Sequence, residues 1–456
     1  MKKTDFKGKR VLIFGTGKSG IAAAKLLAGA GADLLIYDGK AELKEEEIRE
    51  KDPAFSEGEI CIGELKPEFL DKAGAAILSP GVPLDCPEAL RIKEKQIPIL
   101  GEIELGYLFG SGRLAAITGT NGKTTTTALT GELLKRHFRD VRVVGNIGIP
   151  YTEEAASMTE ATVTAAEISS FQLETADTFH PEASAILNIT PDHLDRHHTM
   201  EAYIKAKERI TENQTPSEVL VLNYEDPVLR SFGEGMDRRV VWFSSAQRVE
   251  NGLFTENGTI YVSRENKTEA LIDTKELKII GRHNWENAMA ASAIALSMGV
   301  TMEEVREGLK AFSAVPHRIE FVAEIDGVLY YNDSKGTNPD AAIRAITSMD
   351  RPTILIGGGY DKGSEYNEWI RECKGRAKKL LLIGQTREKI REACDAEGFS
   401  PVEFCETLEE AVKKAAKETN EGEAVLLSPA CASWGMFKNY EERGDLFKEY
   451  VLALKK

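Results

Sequence analysis

The stretch Val11–Asp38, VLIFGTGKSGIAAAKLLAGAGADLLIYD, decides how the N-terminal part of the chain is read. An apolar, β-branched run meets Gly15, Gly17 and Gly20 in the spacing G-x-G-x-x-G. An Ala/Leu-rich helical pattern follows, then a second apolar strand ending on Asp38. Strand, glycine loop, helix and strand, with an acid about twenty residues past the glycines, is the dinucleotide-binding pattern of a Rossmann-like βαβ unit. What the glycines specify physically is narrower: backbone N–H groups at a helix N-terminus, able to hold a diphosphate. An NAD(P)-dependent oxidoreductase is one reading of this segment.

Around that stretch, the bulk of the chain sets limits. A length of 456 residues calls for two to four domains. Composition is globular, with 42% hydrophobic and 29% charged residues. No apolar run reaches the roughly 18 residues of a membrane span. The start, MKKTDFKGKRVLIFG, runs into a strand without a signal-type apolar segment, so a cytoplasmic protein is expected. The six cysteines (Cys61, Cys86, Cys373, Cys394, Cys405, Cys431) include no CxxC pair, which argues against a disulfide framework or a structural zinc site. A formal charge of −15 disfavours nucleic acid as a partner. Anionic substrates would need locally concentrated basic groups.

The βα alternation of the opening stretch recurs along the chain. RVLIFG, DLLIYD, AAILSPGVP and IPIL form a first series. RLAAITG, VRVVGN, TVTAAEISS, ASAILNIT and SEVLVLN form a second, followed by a polar–apolar alternation with Asn-Gly over 250–280 that predicts a small antiparallel addition. GVLYYND, TILIGGG, KKLLLIG and AVLLSPA form a third. The expected architecture is α/β with three domains: a Rossmann-like unit over 1–112, a central parallel sheet of P-loop ATPase type with its antiparallel addition over 113–314, and a Rossmann-like unit over 315–456.

The second series opens on ITGTNGKTTTT, Ile117–Thr127, placed after a strand and at a helix start. Unpaired N–H groups and the helix dipole make this a phosphate site. Lys123 can reach terminal phosphates, and the Thr124 hydroxyl can ligate Mg²⁺. The strict G-x-x-x-x-G-K-[ST] pattern fails because Ile117 stands where its first glycine belongs, leaving a shortened loop on Gly119 and Gly122.

With E-x-S-S-F-Q-L-E (Glu167–Glu174), N-I-T-P-D-H-L-D-R (Asn188–Arg196), G-R-H-N-x-x-N (Gly281–Asn287), P-H-R (Pro316–Arg318), N-D-S-K-G-T-N (Asn332–Asn338) and L-L-S-P-A-C-A-S-W (Leu426–Trp434), the loop resembles the Mur ligase superfamily. The resemblance runs through the whole chain in order, and with G-x-G-x-S-G and S-P-G-V-P (Ser79–Pro83) it is most similar to the D-glutamate-adding members. It implies ATP-dependent amide formation through an acyl phosphate and a tetrahedral intermediate, with UDP-MurNAc-L-alanine and D-glutamate as substrates in peptidoglycan precursor synthesis. It also implies a monomer that needs neither membrane nor nucleic acid.

By the same resemblance, Lys123, Lys207, His193 and Glu167 are catalytic. ATP would lie on Gly119, Thr120, Asn121, Gly122, Lys123, Thr124, Thr125, Asn287, Arg318, Asp333 and Lys335. Two Mg²⁺ sites would use Thr124, Glu167, His193 and Lys207, the last as a CO₂-derived carbamate. The UDP-substrate would contact Gly15, Thr16, Gly17, Lys18, Ser19, Asp38, Gly81 and Asn146. The acceptor would contact His317, Lys335, Thr337, Lys362, Ser433, Trp434 and Tyr440. A histidine ligand is chemically unusual for hard Mg²⁺ and is carried by the resemblance alone. Two departures stand out: Gly435, where many relatives carry an acid, and Gly39, where some carry a hydroxyl. The alternatives are a folylpolyglutamate or diaminopimelate/lysine-adding ligase, a nonenzymatic nucleotide switch, and the oxidoreductase.

Overall fold

In the computed structural model, which describes residues 1–146, 148–265, 267–313, 315–361 and 363–455, each apolar run of the three series becomes a strand, buried in most cases and half-buried at VRVVG. The first sheet comprises β1 (Arg10–Phe14), β2 (Asp33–Asp38), β3 (Glu59–Ile62), β4 (Ala75–Leu78) and β5 (Ile99–Gly101). Its order is β3-β2-β1-β4-β5, all parallel. Four of the five residues of β1 are buried, as expected where helices cover both faces of a parallel sheet.

The second sheet has nine strands: β6 (Arg113–Thr118), β7 (Val141–Gly145), β8 (Val163–Glu167), β9 (Ala183–Ile186), β10 (Val219–Asn223), β11 (Arg239–Ser244), β12 (Gly252–Glu256), β13 (Thr259–Arg264) and β14 (Lys267–Asp273). Its order is β14-β13-β12-β11-β10-β9-β6-β8-β7. Among themselves, neighbouring strands from β6 to β12 pair in parallel, and the last three form the expected antiparallel addition. The strand carrying the phosphate loop, β6, lies between β8 and β9, so the segments after all three strands emerge at one sheet edge.

The third sheet contains β15 (Glu320–Ile325), β16 (Val328–Asn332), β17 (Thr353–Gly359), β18 (Ala377–Gly384), β19 (Val402–Phe404) and β20 (Ala424–Leu427). The order is β15-β16-β20-β17-β18-β19, with only β15 antiparallel. Trp369 and Tyr366 anchor the core on one face, and truncating a buried aromatic of this size costs about 3–5 kcal/mol.

By contacts the chain forms two compact units: Met1–Thr274 with Glu286–Leu309, and Lys275–Trp285 with Lys310–Lys456. The first unit contains both N-terminal sheets. They are joined through the helix Glu102–Phe109, whose Glu102 and Glu104 are buried. Glu102 accepts from Thr152 N and Oγ1 at 2.8 and 2.9 Å. Glu104 accepts from the backbone of Asp177, Thr178 and Phe179 at 2.9–3.1 Å. Burial raises the pKa of Glu102 despite those donors.

Candidate active site

The GTNG segment turns from β6 into the helix Lys123–Lys135 through Gly122, whose φ of 84° is left-handed and suits glycine. A Cβ there would lie 2.4 Å from Asn287 Oδ1, which accepts from Thr126 Oγ1 at 3.2 Å. Asn287 thus packs against the loop from which the helix starts. Thr124 and Thr125 are buried at that start.

The loop is held from the side by a segment whose individual residues sequence reasoning did not single out. Asn188 Oδ1 accepts from Asn121 N at 2.8 Å, and its Nδ2 donates to Asn121 O at 3.1 Å. Thr120 N donates to Asn188 O, Thr190 N donates to Thr120 Oγ1, and Tyr203 Oη lies 3.0 Å from the same hydroxyl. Asp226 fixes this clamp in turn by accepting from Ile189 N at 2.7 Å. A phosphate loop held on both sides is preorganised, so little ordering cost is left for ligand binding.

Lys123 Nζ donates to the carbonyls of Gly119 and Thr120, both at 2.9 Å. Lys207, 1% exposed, donates to the same Gly119 carbonyl at 2.7 Å. Burial, and secondarily the charge of Lys123, hold the Lys207 pKa well below the ordinary lysine value. Its Nζ also lies 4.6 Å from the centre of the Tyr203 ring.

Glu167 ends β8 beside Ile117 of β6 and is 1% exposed. Asn146 Nδ2 donates to Oε1 at 2.7 Å, whereas Oε2 is buried without a hydrogen-bond partner. An orphaned carboxylate oxygen next to a phosphate loop fits a hard cation. Among the described residues no three His, Cys, Asp or Glu side chains are grouped to hold a metal. Mg²⁺ usually takes one or two carboxylates and completes its shell with phosphate oxygens and water. His193 follows β9 in left-handed backbone (φ 52°), exposed, with its ring 4.8 Å from that of Phe171. Asn146, expected at the UDP-substrate, is bound to Glu167 here.

In the first sheet, Gly15 has φ 104° and Gly20 packs so closely that a Cβ would lie 1.9 Å from Gly15 O. A Cβ at Gly17 would meet nothing within 4 Å, leaving the start of the helix Lys18–Gly29 open. Lys18 and Gly81 are exposed, and Ser19 is half-buried in the first turn. Asp38 Oδ2 accepts from Thr16 N and Oγ1 at 3.1 and 2.7 Å. Lys51 Nζ, unmarked by any motif, donates to Thr16 Oγ1 at 2.8 Å. Ser79 Oγ is buried and unpartnered, and a Cβ on Gly15 would lie 2.6 Å from it.

The second unit gathers its candidates after β16 and β20. Asp333 is buried, accepts from Ser428 Oγ at 2.7 Å and Ile319 N at 3.3 Å, and has its pKa pushed up to about 7 by burial. Lys335 Nζ lies 5.3 Å from the Tyr440 ring centre, and Thr337 N donates to Lys335 O. Asn332 Nδ2 donates to His317 Nδ1 at 3.1 Å, and burial lowers the His317 pKa. Arg318 is half-buried beside them in sequence, and its charge lowers the Asp333 pKa. Ser433 is buried, while Trp434 is 53% exposed with its ring 5.6 Å from that of Tyr360. Lys362 lies outside the described residues.

Comparison with known proteins now adds to this geometry. Residues 9–101 match the Mur ligase MurD-like N-terminal domain, 117–295 the Mur ligase middle domain, and 317–431 the Mur ligase glutamate ligase domain. The UDP-N-acetylmuramoylalanine–D-glutamate ligase of Lachnoclostridium phytofermentans is 52% identical over 99% of both chains. Its namesake from Clostridioides difficile is 44% identical over 99% of this chain and 100% of its own. The UDP-N-acetylmuramate–alanine ligase structure from Thermotoga maritima matches with TM-score 0.60 and 20% identity, covering 98% of this chain and 100% of that one. A pseudomurein peptide ligase structure from Methanothermus fervidus matches with TM-score 0.58 and 18% identity, with the same two coverages. At those identities the two structures speak for the fold, while the full-length relatives at 44–52% speak for descent. With its phosphate loop, buried lysine and three sheets matched from end to end, the chain belongs to the Mur ligase family.

Proposed function

We propose that the chain is the ATP-dependent ligase that adds D-glutamate to UDP-N-acetylmuramoyl-L-alanine in peptidoglycan precursor synthesis. The carrying observation is its 52% identity, over 99% of both lengths, to a relative bearing that activity in its name. In this reading residues 1–112 bind the UDP-substrate, 113–314 bind ATP and 315–456 bind the acceptor. The protein acts as a cytoplasmic monomer on small molecules. No described helix is long and apolar enough to cross a membrane.

The chemistry asks for a carboxylate brought against a triphosphate. Two like unit charges 4 Å apart repel by about 4 kcal/mol at an effective dielectric of 20. Lys123 and the N–H groups of the GTNG turn would hold the terminal phosphates and offset that repulsion, with Asn287 on the adenine side. Transfer to the substrate carboxylate gives an acyl phosphate. The D-glutamate amine then attacks, and the tetrahedral intermediate collapses with loss of phosphate. Thr124 and Glu167 would hold Mg²⁺, with a second ion on His193 and carbamylated Lys207, supplying charge neutralisation at the transferring phosphoryl group. Carbamylation needs a neutral amine, and the depressed pKa of Lys207 supports it.

In the first sheet, Gly15, Thr16, Gly17, Lys18 and Ser19 would receive the UDP diphosphate. Asp38, Gly81 and Asn146 would contact the rest of that substrate. His317, Lys335, Thr337, Lys362, Ser433, Trp434 and Tyr440 would hold D-glutamate, with Arg318 and Asp333 on the nucleotide. Phosphate release from ATP with UDP-MurNAc-L-alanine and a panel of amino acids tests the reading. D-Glutamate should stimulate release, with strict Mg²⁺ dependence. Stimulation by another acceptor alone would overturn the substrate assignment while leaving a ligase.

A further inference from the structure

The helix Tyr440–Ala453 carries a guanidinium that no motif marks. Arg443 is fully buried. Its Nε donates to Ser334 Oγ at 2.9 Å, Nη2 to Ser334 O at 2.7 Å and Nη1 to Cys431 O at 3.1 Å. A Cβ on Gly359 would come within 3.3 Å of Nη1. The fork therefore sits where the segments after β16, β20 and β17 converge. Those segments are already laced together: Tyr360 N donates to Ala432 O at 2.9 Å, Gly358 N to Pro429 O at 2.8 Å, and Ser334 Oγ to Tyr440 O at 2.8 Å. This is the carboxyl edge of a parallel sheet, where such folds bind ligands.

Among the described residues Arg443 has no carboxylate within ion-pair distance. A buried cation is ordinarily paired, because desolvation without a counter-charge is costly. Burial pulls its pKa down to about 10, so it stays charged at neutral pH. Its hydrogen-bond partners are two peptide carbonyls and one hydroxyl, which carry no counter-charge. Buried Asp333 acts on it only from beyond ion-pair distance and has its own pKa pushed up to about 7, so the charge is offset only in part. The field is left to act on whatever occupies the adjoining loops.

We propose that Arg443 is a positioning residue for the acceptor site: its fork fixes the Ser334 and Cys431 loops, and its incompletely offset charge favours an acceptor carrying two carboxylates. Ser334 stands between Asp333 and Lys335, and Cys431 two residues before Ser433. The inference rests on the proposed D-glutamate ligase reading.

The test compares wild type with Arg443→Gln and Arg443→Lys, measuring KM for D-glutamate, ATP and UDP-MurNAc-L-alanine, and the preference for D-glutamate over D-glutamine. Arg443→Gln should raise the D-glutamate KM at least tenfold and shrink that preference, with a smaller rise in the ATP KM through the Asp333–Lys335 loop and the UDP-MurNAc-L-alanine KM within twofold. Arg443→Lys keeps the charge and loses the fork, so it should raise the D-glutamate KM about three- to tenfold and retain the preference. A folded Gln variant with an unchanged D-glutamate KM, or a parallel rise in all three KM values, overturns the proposal. If the Gln variant fails to fold, the Lys variant decides: wild-type behaviour, or loss of the preference, overturns it. A wild-type protein that ignores D-glutamate but uses another acceptor overturns the underlying reading instead.

Discussion

Lys123 and Lys207 converge on one atom, the carbonyl oxygen of Gly119, from 2.9 and 2.7 Å. Two ammonium groups sharing one acceptor repel, and the one out of water gives up its proton more easily. Lys123 is only half-buried, while the interior makes Lys207 the group inclined to be neutral.

Replacing Lys207 by alanine should abolish ligation without unfolding the protein. Short carboxylates such as formate or acetate should restore part of the activity if the lysine works as a carbamate. The check is D-glutamate-dependent phosphate release with and without the added acid, and full activity in the alanine variant would refute the role.

Glu167→Gln keeps a group that can accept from Asn146 Nδ2 but replaces the orphaned anionic oxygen by a neutral amide. The Mg²⁺ concentration for half-maximal activity should rise at least tenfold while the melting temperature stays within a few degrees. A titration with Mg²⁺ at saturating ATP reads this directly.

Two neighbouring glycines should answer differently. Gly20→Ala drives a Cβ into the Gly15 carbonyl, 1.9 Å away, and should destabilise the first unit by about 1–3 kcal/mol or more. Gly17→Ala meets no protein atom within 4 Å, so it should fold normally and raise the KM for the UDP-substrate, because its methyl occupies the space of the anion. Denaturant melts and substrate titrations separate the two.

Asp333 predicts a pH effect with a definite sign. Its folded pKa, raised from 3.8 to about 7, means that the folded state binds more protons than the unfolded state between those values. Stability from this group is therefore fully present below about pH 4, falls as pH rises, and levels off above about pH 7. Asp333→Asn should flatten that part of the pH profile. Unfolding midpoints of the second unit's transition at pH 5 and 7.5, wild type against variant, measure the difference.

Much of this was legible in sequence because it is local. Strands announced by apolar runs, glycines at fixed offsets and a helix after each loop all appeared where the pattern put them. The short edge strands β3 and β19 and the charged-ended β11 escaped because three to six residues carry too little periodicity. Lys207 is instructive. Tyr203, Ala206, Lys207 and Ile210 share one buried face at helical spacing, whereas Lys205 is exposed, so an i, i+4 count already separates the two lysines. The clamp of Asn188 and Thr190 on the phosphate loop was not legible, because its partners lie some seventy residues away. The hydrogen bonds of Asp38 to Thr16, which hold the loop itself, were not legible either, because the nucleotide-binding pattern announces only a ligand contact there.

The helix Glu102–Phe109 has a consequence for how this protein can be taken apart. Each of its two buried acids accepts its hydrogen bonds from donors in the second sheet's segments rather than from the first. A chain divided after residue 112 would keep the whole first sheet yet strand both carboxylates in an apolar seam, and the other fragment would lose the anions that gather the N–H groups of 152 and 177–179. The visible border between sheets is therefore not a line of independence. Recombining this N-terminal region with the remainder of a distant relative would succeed only where the recipient supplies the same donors.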